Sequence, residues 1–298
     1  MMSGSKIYEE MAKTLELSGE YKVLRKIKRR ERYSPDDGSP KKIGVVIDLE
    51  TTGLDPINDE IIEIGMIAFE FSSEGAVFSI IDTVESFRDP KRPLTSEVSE
   101  ITGITDEMIK NKKLPRKRIS EIILKADVII AHNAAFDRKF FERQFPKLPK
   151  KAWACSLSEI AWKNEGVESP KLSFILNAYG LFHDGHRAAE DCLALLELMS
   201  LNLKRTGRPI LKVLLDQARE RTFRIWGKEV PFSLRNELKS NGYRWSDGEN
   251  GKQKGWWKDV SQDDIEKEIN YISLRSRNFN SSIDVYSFNA FDRYSERA

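Results

Sequence analysis

The chain has 298 residues, 40% of them hydrophobic, which favours two domains and suffices for a core. No apolar run is long enough to span a membrane and the N-terminus lacks an apolar signal-peptide core, so a membrane protein is excluded and a cytoplasmic one expected. A net charge of +2 does not by itself indicate a nucleic-acid binder, so any attraction to phosphate must come from local patches. Two cysteines are too few for a disulfide framework or a zinc site.

Residues 1–40 are predicted to form a helical, basic N-terminal extension. One amphipathic helix is expected over Ile7–Leu17 and a second, with a basic face, over Tyr21–Arg32. Residues 34–40 are rich in Ser, Asp, Gly and Pro and are typical of a linker. The basic face either contacts a nucleic-acid backbone or is a solvated helix face docked on the next domain, and the sequence leaves both interpretations open.

Residues 45–54 are predicted to form a strand that runs into a turn. Side chains alternate between the faces of a strand, so Asp48 and Glu50 share one face, opposite the apolar residues around them. Two neighbouring carboxylates repel each other, and a divalent cation between them removes that cost. Their hard oxygen ligands suit Mg²⁺ or Mn²⁺. The alternative for a bare Asp-x-Glu is a solvated strand end.

The following runs predict an antiparallel meander and then alternating helices and strands. Two β-branched and aromatic runs, Glu60–Phe71 and Ala76–Phe87, follow the first strand with short connections. Further helices are expected over Thr95–Ile101, Thr105–Asn111, Arg118–Ala126, Ala134–Phe145, Ser156–Asn164, Ser173–Tyr179 and Ala188–Lys204, and strands over Asp127–Ala131 and Trp153–Cys155.

Three motifs in order carry a resemblance to a known family. Residues 48–54, Asp-Leu-Glu-Thr-Thr-Gly-Leu, resemble the first motif of the DEDDh 3′–5′ exonucleases, which include the proofreading subunit of bacterial replicative DNA polymerase and RNA-trimming enzymes. His132–Asp137 resembles the second motif, and His186–Asp191 fits the family's third, His-x-Ala-x-x-Asp. The resemblance covers about two thirds of the chain. It implies an α/β fold over residues 41–205, an RNase H-like mixed sheet with flanking helices.

The resemblance also implies roles for single residues. Four carboxylates would hold two Mg²⁺ or Mn²⁺ ions: Asp48, Glu50, Asp137 and Asp191. His186 would be the general base, because an imidazole with a pKa near neutrality is suited to accept a proton from water. Five residues would contact the terminal nucleotide of the substrate: Thr51, Thr52, Leu54, Asn133 and Phe136.

Several of these neighbouring positions have a structural interpretation as well. Phe136 either flanks a base or packs in the core. His132 and Asn133 are suited to brace the active-site loop. Arg187 meets either a phosphate or water, and His183 is interpreted as a surface histidine.

Residues 206–298 are predicted to form a small α+β domain. After a helix over Arg208–Arg219, a βαββα module is expected, followed by an edge strand or a mobile tail; its elements are Phe223–Trp226, Ser233–Ser240 with a Ser cap, Tyr243–Trp245, Gly255–Lys258, Ser261–Ser273 and Ile283–Phe288. Residues 221–260 hold nine Lys/Arg against five Asp/Glu, and four of the six Trp. Aromatic residues beside basic ones suit single-stranded nucleic acid, whereas a domain this small also needs aromatics for its own core.

The expected function is metal-dependent 3′–5′ hydrolysis of DNA to nucleoside monophosphates, at single-stranded or frayed 3′ ends, by a two-metal-ion mechanism. One alternative is an exoribonuclease that trims RNA. Another is a catalytically silent module that binds nucleic acid or a partner, which is disfavoured because all five catalytic positions are intact. The C-terminal domain is expected to bind nucleic acid, or a protein such as a DNA polymerase or another repair protein.

Overall fold

The structure is a computed structural model and describes residues 4–249, 253–276 and 283–298. It divides into two compact units, Met1–Gln217 and Ala218–Ala298. Within the described ranges, no helix is both long and apolar enough to cross a membrane. The central part of the turn predicted between the two Trp-rich strands, residues 250–252, and the start of the predicted tail, residues 278–282, lie outside the described residues.

A mixed five-stranded sheet forms the centre of the first unit. The strands of this unit are β1 (Arg25–Lys26), β2 (Lys41–Thr51), β3 (Ile61–Ser72), β4 (Val77–Phe87), β5 (Val128–Ala131), β6 (Ala152–Cys155) and β7 (Leu181–Phe182). The sheet has the order β4-β3-β2-β5-β6, in which β2, β3 and β4 form the predicted antiparallel meander. Because β5 and β6 run parallel to the central strand β2, that strand is covered on both faces and its apolar residues are buried.

Helices flank this sheet, which confirms the predicted RNase H-like α/β fold. They are α1 (Gly4–Leu17), α2 (Ser96–Thr102), α3 (Asp106–Ile109), α4 (Arg116–Lys125), α5 (Ala134–Gln144), α6 (Leu172–Ala178), α7 (Ala188–Met199) and α8 (Ile210–Arg219). Helix α7 packs against β2 and β3, and α5 packs against β5 and β6. The helix predicted over Ser156–Asn164 is wrong, because only a short 3₁₀ turn forms there, at Trp162–Glu165.

The second helix predicted in the N-terminal extension, over Tyr21–Arg32, is also wrong. The segment is extended, and β1 pairs in parallel with β7. Three of its basic residues form ion pairs with acids of the first unit: Arg25 with Glu9 and Glu16, Lys26 with Asp184, and Arg30 with Glu197. Pairing with a strand more than 150 residues away in sequence therefore overrides the local helical pattern.

Within its described residues, the second unit is a four-stranded antiparallel sheet with two α-helices. Its elements are β8 (Thr222–Gly227), α9 (Arg235–Ser240), β9 (Arg244–Ser246), β10 (Gly255–Val260), α10 (Ile265–Ser273) and β11 (Asp284–Phe288). The strand order is β11-β8-β10-β9, which confirms the small α+β module and its edge strand. The predicted Ser cap is wrong, since a 3₁₀ turn at Phe232–Leu234 precedes α9 and Leu234 occupies its N-cap.

Candidate active site

Three of the four predicted metal ligands meet at one edge of the sheet. Asp48 and Glu50 lie near the end of β2, and Asp191 lies in the first turn of α7. Each contributes one carboxylate oxygen to a group whose members all lie within 4.8 Å of one another. Strand alternation explains the first two, and the packing of α7 over β2 explains the third. The donor set consists of hard oxygens only, which fits a divalent cation of the Mg²⁺ type.

Asp137, the fourth predicted ligand, lies in the first turn of α5 and is 3% exposed. Its carboxylate is close enough to the other three acids to act on their charge, because it raises the pKa of Asp48 and its own pKa is raised by Glu50 and Asp191. Asp137 is therefore an electrostatic neighbour of the group of three.

Burial and mutual repulsion hold these acids away from their ordinary charge state. Burial is the main cause that raises the pKa of Asp48, followed by the nearby Asp137, Asp191 and Glu50. Burial, with Asp191 and Glu63, raises the pKa of Glu50 to about 7. Burial also raises the pKa of Asp137 to about 8, against hydrogen bonds to backbone amides that lower it. An added positive charge would relieve this repulsion, which is the electrostatic condition for cation binding.

Two histidines, His183 and His186, precede Asp191 in the sequence, and their environments differ from each other. The His183 side chain is 5% exposed, and its Nε2 lies 2.7 Å from Asp191 Oδ1, so its interpretation as a surface histidine is wrong. The other oxygen of Asp191 accepts a hydrogen bond from the backbone N–H of Arg187 at 3.2 Å. His186, the predicted base, is exposed in the loop before α7, and its φ of 67° is left-handed. That backbone conformation is uncommon outside glycine and stores strain beside the site.

A buried ion pair that the sequence analysis missed fixes the start of α7. Glu63 on β3 is 0% exposed and lies opposite Glu50 in the register. It accepts hydrogen bonds from Arg187 Nε at 3.2 Å and from the Ala188 backbone N–H at 3.2 Å. The Arg187 guanidinium is therefore bound to a carboxylate of the protein. A signal was present in the sequence, because Glu63 is an isolated acid inside an apolar strand.

The helix also approaches the sheet closely at this point. A Cβ at Gly65 would lie 2.3 Å from the carbonyl oxygen of Ala188, so only glycine allows α7 to come this near to β3. Together with Glu63, this contact fixes the turn of α7 from which Asp191 projects.

The structure separates the predicted nucleotide contacts of the first motif into two kinds. Thr51 is buried, and its hydroxyl donates to the carbonyl of Gly53 at 2.5 Å. The hydroxyl of Thr52 donates to Asp59 and accepts from Arg92. Both hydroxyls therefore shape the loop. Leu54 is 84% exposed and its apolar side chain is free to contact a ligand.

The second motif lies at the start of α5. Asn133 occupies the N-cap of α5 and is exposed. Phe136 is half-buried, and its ring lies 4.9 Å from that of the buried Phe140. His132 Nδ1 lies 2.8 Å from the hydroxyl of Ser156, and burial lowers the pKa of His132 to about 4. A neutral His132 held in this way fits the bracing interpretation.

Comparison with known proteins decides the family. The family model described as RNase_T, Exonuclease, matches residues 45–199, more than half of the chain and all three motifs. The chain belongs to the RNase T exonuclease family. It is an exonuclease of the DEDDh type, as the motifs predict. DEDDh exonucleases use divalent metal ions, and Asp48, Glu50 and Asp191 are the candidate ligands for them here.

Two curated relatives and one solved structure are similar to this chain. The chain is 32% identical over 209 residues to a PolC-type DNA polymerase III of Caldanaerobacter subterraneus subsp. tengcongensis, a match that covers 64% of this chain and 14% of that protein. It is 31% identical over 162 residues to the DNA polymerase III subunit epsilon of Treponema pallidum, covering 51% of this chain and 73% of that one. A structure of exonuclease I is similar with a TM-score of 0.49, at 18% identity, covering 79% of this chain and 68% of that one.

The raised pKa values predict a pH-dependent stability for this exonuclease when it is free of metal. Glu50 and Asp137 keep their protons in the folded protein until about pH 7 and about pH 8, whereas in the unfolded chain both ionise near their ordinary values of 4.5 and 3.8. The unfolded state therefore releases protons first, and the free energy of unfolding falls as the pH rises through this window. For Glu50 alone the loss is on the order of 3 kcal/mol.

Thermal unfolding in EDTA, from about pH 5 to about pH 8, measures this effect. The midpoint temperature should fall with pH, and added Mn²⁺ should restore it at the alkaline end. The Asp137→Asn variant should show a smaller slope. A midpoint that stays constant across the window, with and without Mn²⁺, would contradict the charge repulsion described here.

The ion pair of Glu63 predicts a second effect, this time on the position of α7. Glu63→Gln removes a fully buried charge that holds both Arg187 and the first turn of α7. We expect a loss of about 2 kcal/mol in the free energy of unfolding and about tenfold lower turnover. Glu85→Gln is the matched control, because Glu85 is the exposed partner of the same Arg187 at 3.4 Å. Denaturant unfolding gives the stability of both variants, and rate assays give their turnover. Equal losses in Glu63→Gln and Glu85→Gln would contradict the role of Glu63 in fixing α7.

Proposed function

We propose that residues 41–205 catalyse 3′–5′ hydrolysis of DNA and release nucleoside monophosphates. The observation that supports this most is the half-buried group of Asp48, Glu50 and Asp191, with the buried Asp137 as its neighbour, in a member of the exonuclease family. Residues 1–40 are proposed as an extension and residues 206–298 as a separate functional domain.

The residues present fit two divalent cations, Mg²⁺ or Mn²⁺. Asp48, Glu50, Asp137 and Asp191 would hold them, since four carboxylates with phosphate and water oxygens suffice for two hard cations. When bound, such cations supply activation of water and shield the charge that develops on the leaving 3′ oxygen.

The chain's own residues supply the other requirements of the reaction. His186 accepts the proton of the attacking water, and its exposed loop position allows it to approach a bound 3′ end. Glu63 and Gly65 hold the turn of α7 that carries Asp191. Leu54 packs under the terminal base, while Thr51, Thr52, Asn133 and Phe136 shape the surface on which that nucleotide lies. A terminal nucleotide held by these residues next to the carboxylates would account for selection of a free 3′ end.

DNA is proposed as the substrate because both curated relatives are DNA polymerase III proteins. This chain spans 14% of the PolC-type relative, so its part in a polymerase assembly is a separate proposal. RNA is the second candidate substrate, since the sugar 2′-hydroxyl distinguishes the two polymers and none of the described side chains is assigned to it.

Matched DNA and RNA oligonucleotides of one sequence test the substrate. Both carry a 5′ label and are incubated with the protein and Mg²⁺ under identical conditions. Faster shortening of the DNA supports the proposal, and faster shortening of the RNA replaces it with an exoribonuclease. Persistence of both labels at full length, with Mg²⁺ or Mn²⁺, would favour the silent binding module.

A further inference from the structure

The sheet of the C-terminal unit has two faces with different chemistry. One face packs against α9 and α10 around a buried core that includes Ile225, Tyr243 and Trp256, with Trp245 beside it. This accounts for the aromatics at those positions as core residues. The opposite face is defined here as the aromatic–arginine face and carries Arg224, Trp226, Arg244, Trp257, Tyr286 and Phe288, together with the acids Asp259 and Asp284. Trp226 is buried, whereas Arg244 and Tyr286 are exposed, so the helix-side core does not account for the latter two.

We propose that the aromatic–arginine face binds single-stranded nucleic acid. The proposal goes beyond the hydrolytic site and rests on the proposed function only in the choice of DNA as the polymer to test.

The strand register places the planar groups in adjacent rows. Trp226 on β8 lies opposite Trp257 on β10, and Trp257 lies opposite Arg244 on β9. The two indole rings are 6.2 Å apart. In the next row Tyr286 on β11 lies opposite Arg224. A row of two indoles and one guanidinium thus runs across β8, β10 and β9, perpendicular to the strands and at a strand spacing of about 5 Å, and Asp284 ends the row on β11.

Both arginines lie against the same indole. The guanidinium of Arg224 is 4.1 Å from the centroid of Trp257, and that of Arg244 is 5.1 Å away. Arg224 donates to the Asp259 carboxylate, whereas the exposed Arg244 keeps its N–H groups available at the edge of the ring, where they are suited to phosphate oxygens. Trp257 is half-buried and Tyr286 is 46% exposed, so ring surface remains open to bases.

The charges of the face favour an anionic partner. Its acids are paired, Asp259 with Arg224 at 2.7 Å and Asp284 with Lys228 at 2.6 Å. Arg244 is exposed and forms no ion pair within the described part of the chain. The face therefore has one positive charge that no acid neutralises. Residues 221–260 also carry four more basic than acidic side chains, nine against five. Aromatic rings for bases beside cations for phosphates are the combination that binds single strands without sequence preference.

Fluorescence anisotropy of the full chain tests the proposal. The Asp48→Asn substitution blocks hydrolysis in every sample, and the probe is a labelled oligothymidine of about 30 nucleotides. Arg244→Glu should weaken its binding about tenfold and should reduce the salt dependence by about one phosphate contact. Lys267→Glu is the matched control, because Lys267 is exposed on α10, on the helix-covered side of the sheet. It should bind as the parent does.

A second pair of variants separates stacking from folding. Trp257→Leu removes the ring and should weaken binding about tenfold, whereas Trp257→Phe keeps a stacking surface and should retain most of it. Equal affinity of the Arg244→Glu and Lys267→Glu chains would overturn the proposal and favour a protein partner for this face. If Asp48-intact protein hydrolyses no oligonucleotide while Arg244→Glu still weakens binding, the proposed function fails and this inference stands.

Discussion

Asp48→Asn is expected to reduce hydrolysis at least about a thousandfold without lowering the stability of the fold. Asp48 belongs to the group of three carboxylates, and its pKa is raised by burial and by four acidic neighbours. Asn keeps the shape but supplies no negative charge to a cation. Because the variant also removes a repelled, half-buried charge, the metal-free protein should unfold at an equal or higher temperature. Chromatographic measurement of released nucleotides and thermal unfolding give the two readouts.

Glu190→Gln is the control for this experiment. Glu190 precedes Asp191 in α7 and is exposed, so its charge lies near the site but outside the group of three. Its hydrolysis should stay within about twofold of the parent. Asp191→Asn should behave like Asp48→Asn. Full activity in both aspartate variants would remove the assignment of these carboxylates as metal ligands.

His186→Ala is expected to lower turnover by about 10² to 10⁴ while leaving DNA affinity nearly unchanged. The imidazole is proposed to accept a proton only during the reaction, so its loss affects the transition state more than the bound substrate. Single-turnover rates at saturating enzyme and the affinity for a non-hydrolysable oligonucleotide separate the two quantities.

His183→Ala provides the comparison that tests which histidine is the base. His183 is buried against Asp191 at 2.7 Å, whereas His186 is exposed. If His183 only positions Asp191, its loss should weaken the dependence on metal concentration and should be compensated in part by excess Mn²⁺. His186→Ala should show no such compensation. A larger, uncompensated loss in His183→Ala would exchange the two roles.

Local patterns predicted much of the central sheet. The β-branched runs that become β3 and β4 alternate or stay apolar over many residues, so their length and type follow from side-chain periodicity. Asp48 and Glu50 share a face for the same reason. The resemblance of the three motifs implied that Asp191 meets these two residues. Strand periodicity could not predict this contact, because it says nothing about which helix packs on β2.

Residues 21–32 and Glu63 were misjudged because of contacts distant in sequence, whereas His183 meets a residue only eight positions away. The wrong helix over Ser156–Asn164 and the wrong Ser cap are local differences, since a 3₁₀ turn forms in each place. Residues 21–32 have helical spacing, but β1 pairs with β7, and hydrogen bonds to Gly180 and Phe182 replace the helical ones. His183 is buried by its bond to Asp191, and Glu63 is neutralised by Arg187, 124 residues further along the chain. A pattern of single residues contains no information on such partners.

In the C-terminal unit, the sequence left two roles open for the aromatic residues, and the structure assigns them to different faces. Tyr243 and Trp256 are in the core, as the size of the unit requires. Trp257 lies on the other face with Arg224 and Arg244. Because side chains alternate along a strand, the sequence predicts that Trp245 and Arg244 lie on opposite faces of the sheet. Which residues of the neighbouring strands they lie beside depends on the strand register, which the sequence does not give.

The protein is proposed to hydrolyse DNA from its 3′ end with divalent cations held by the group of Asp48, Glu50 and Asp191. A gel assay on 5′-labelled single-stranded DNA, with Mg²⁺, with Mn²⁺ and with EDTA, tests it most directly beside the Asp48→Asn variant. We expect a ladder that shortens from the 3′ end with either metal, and no ladder in EDTA or in the variant. A ladder that persists in EDTA, or in the variant at the parent's rate, would contradict the claim.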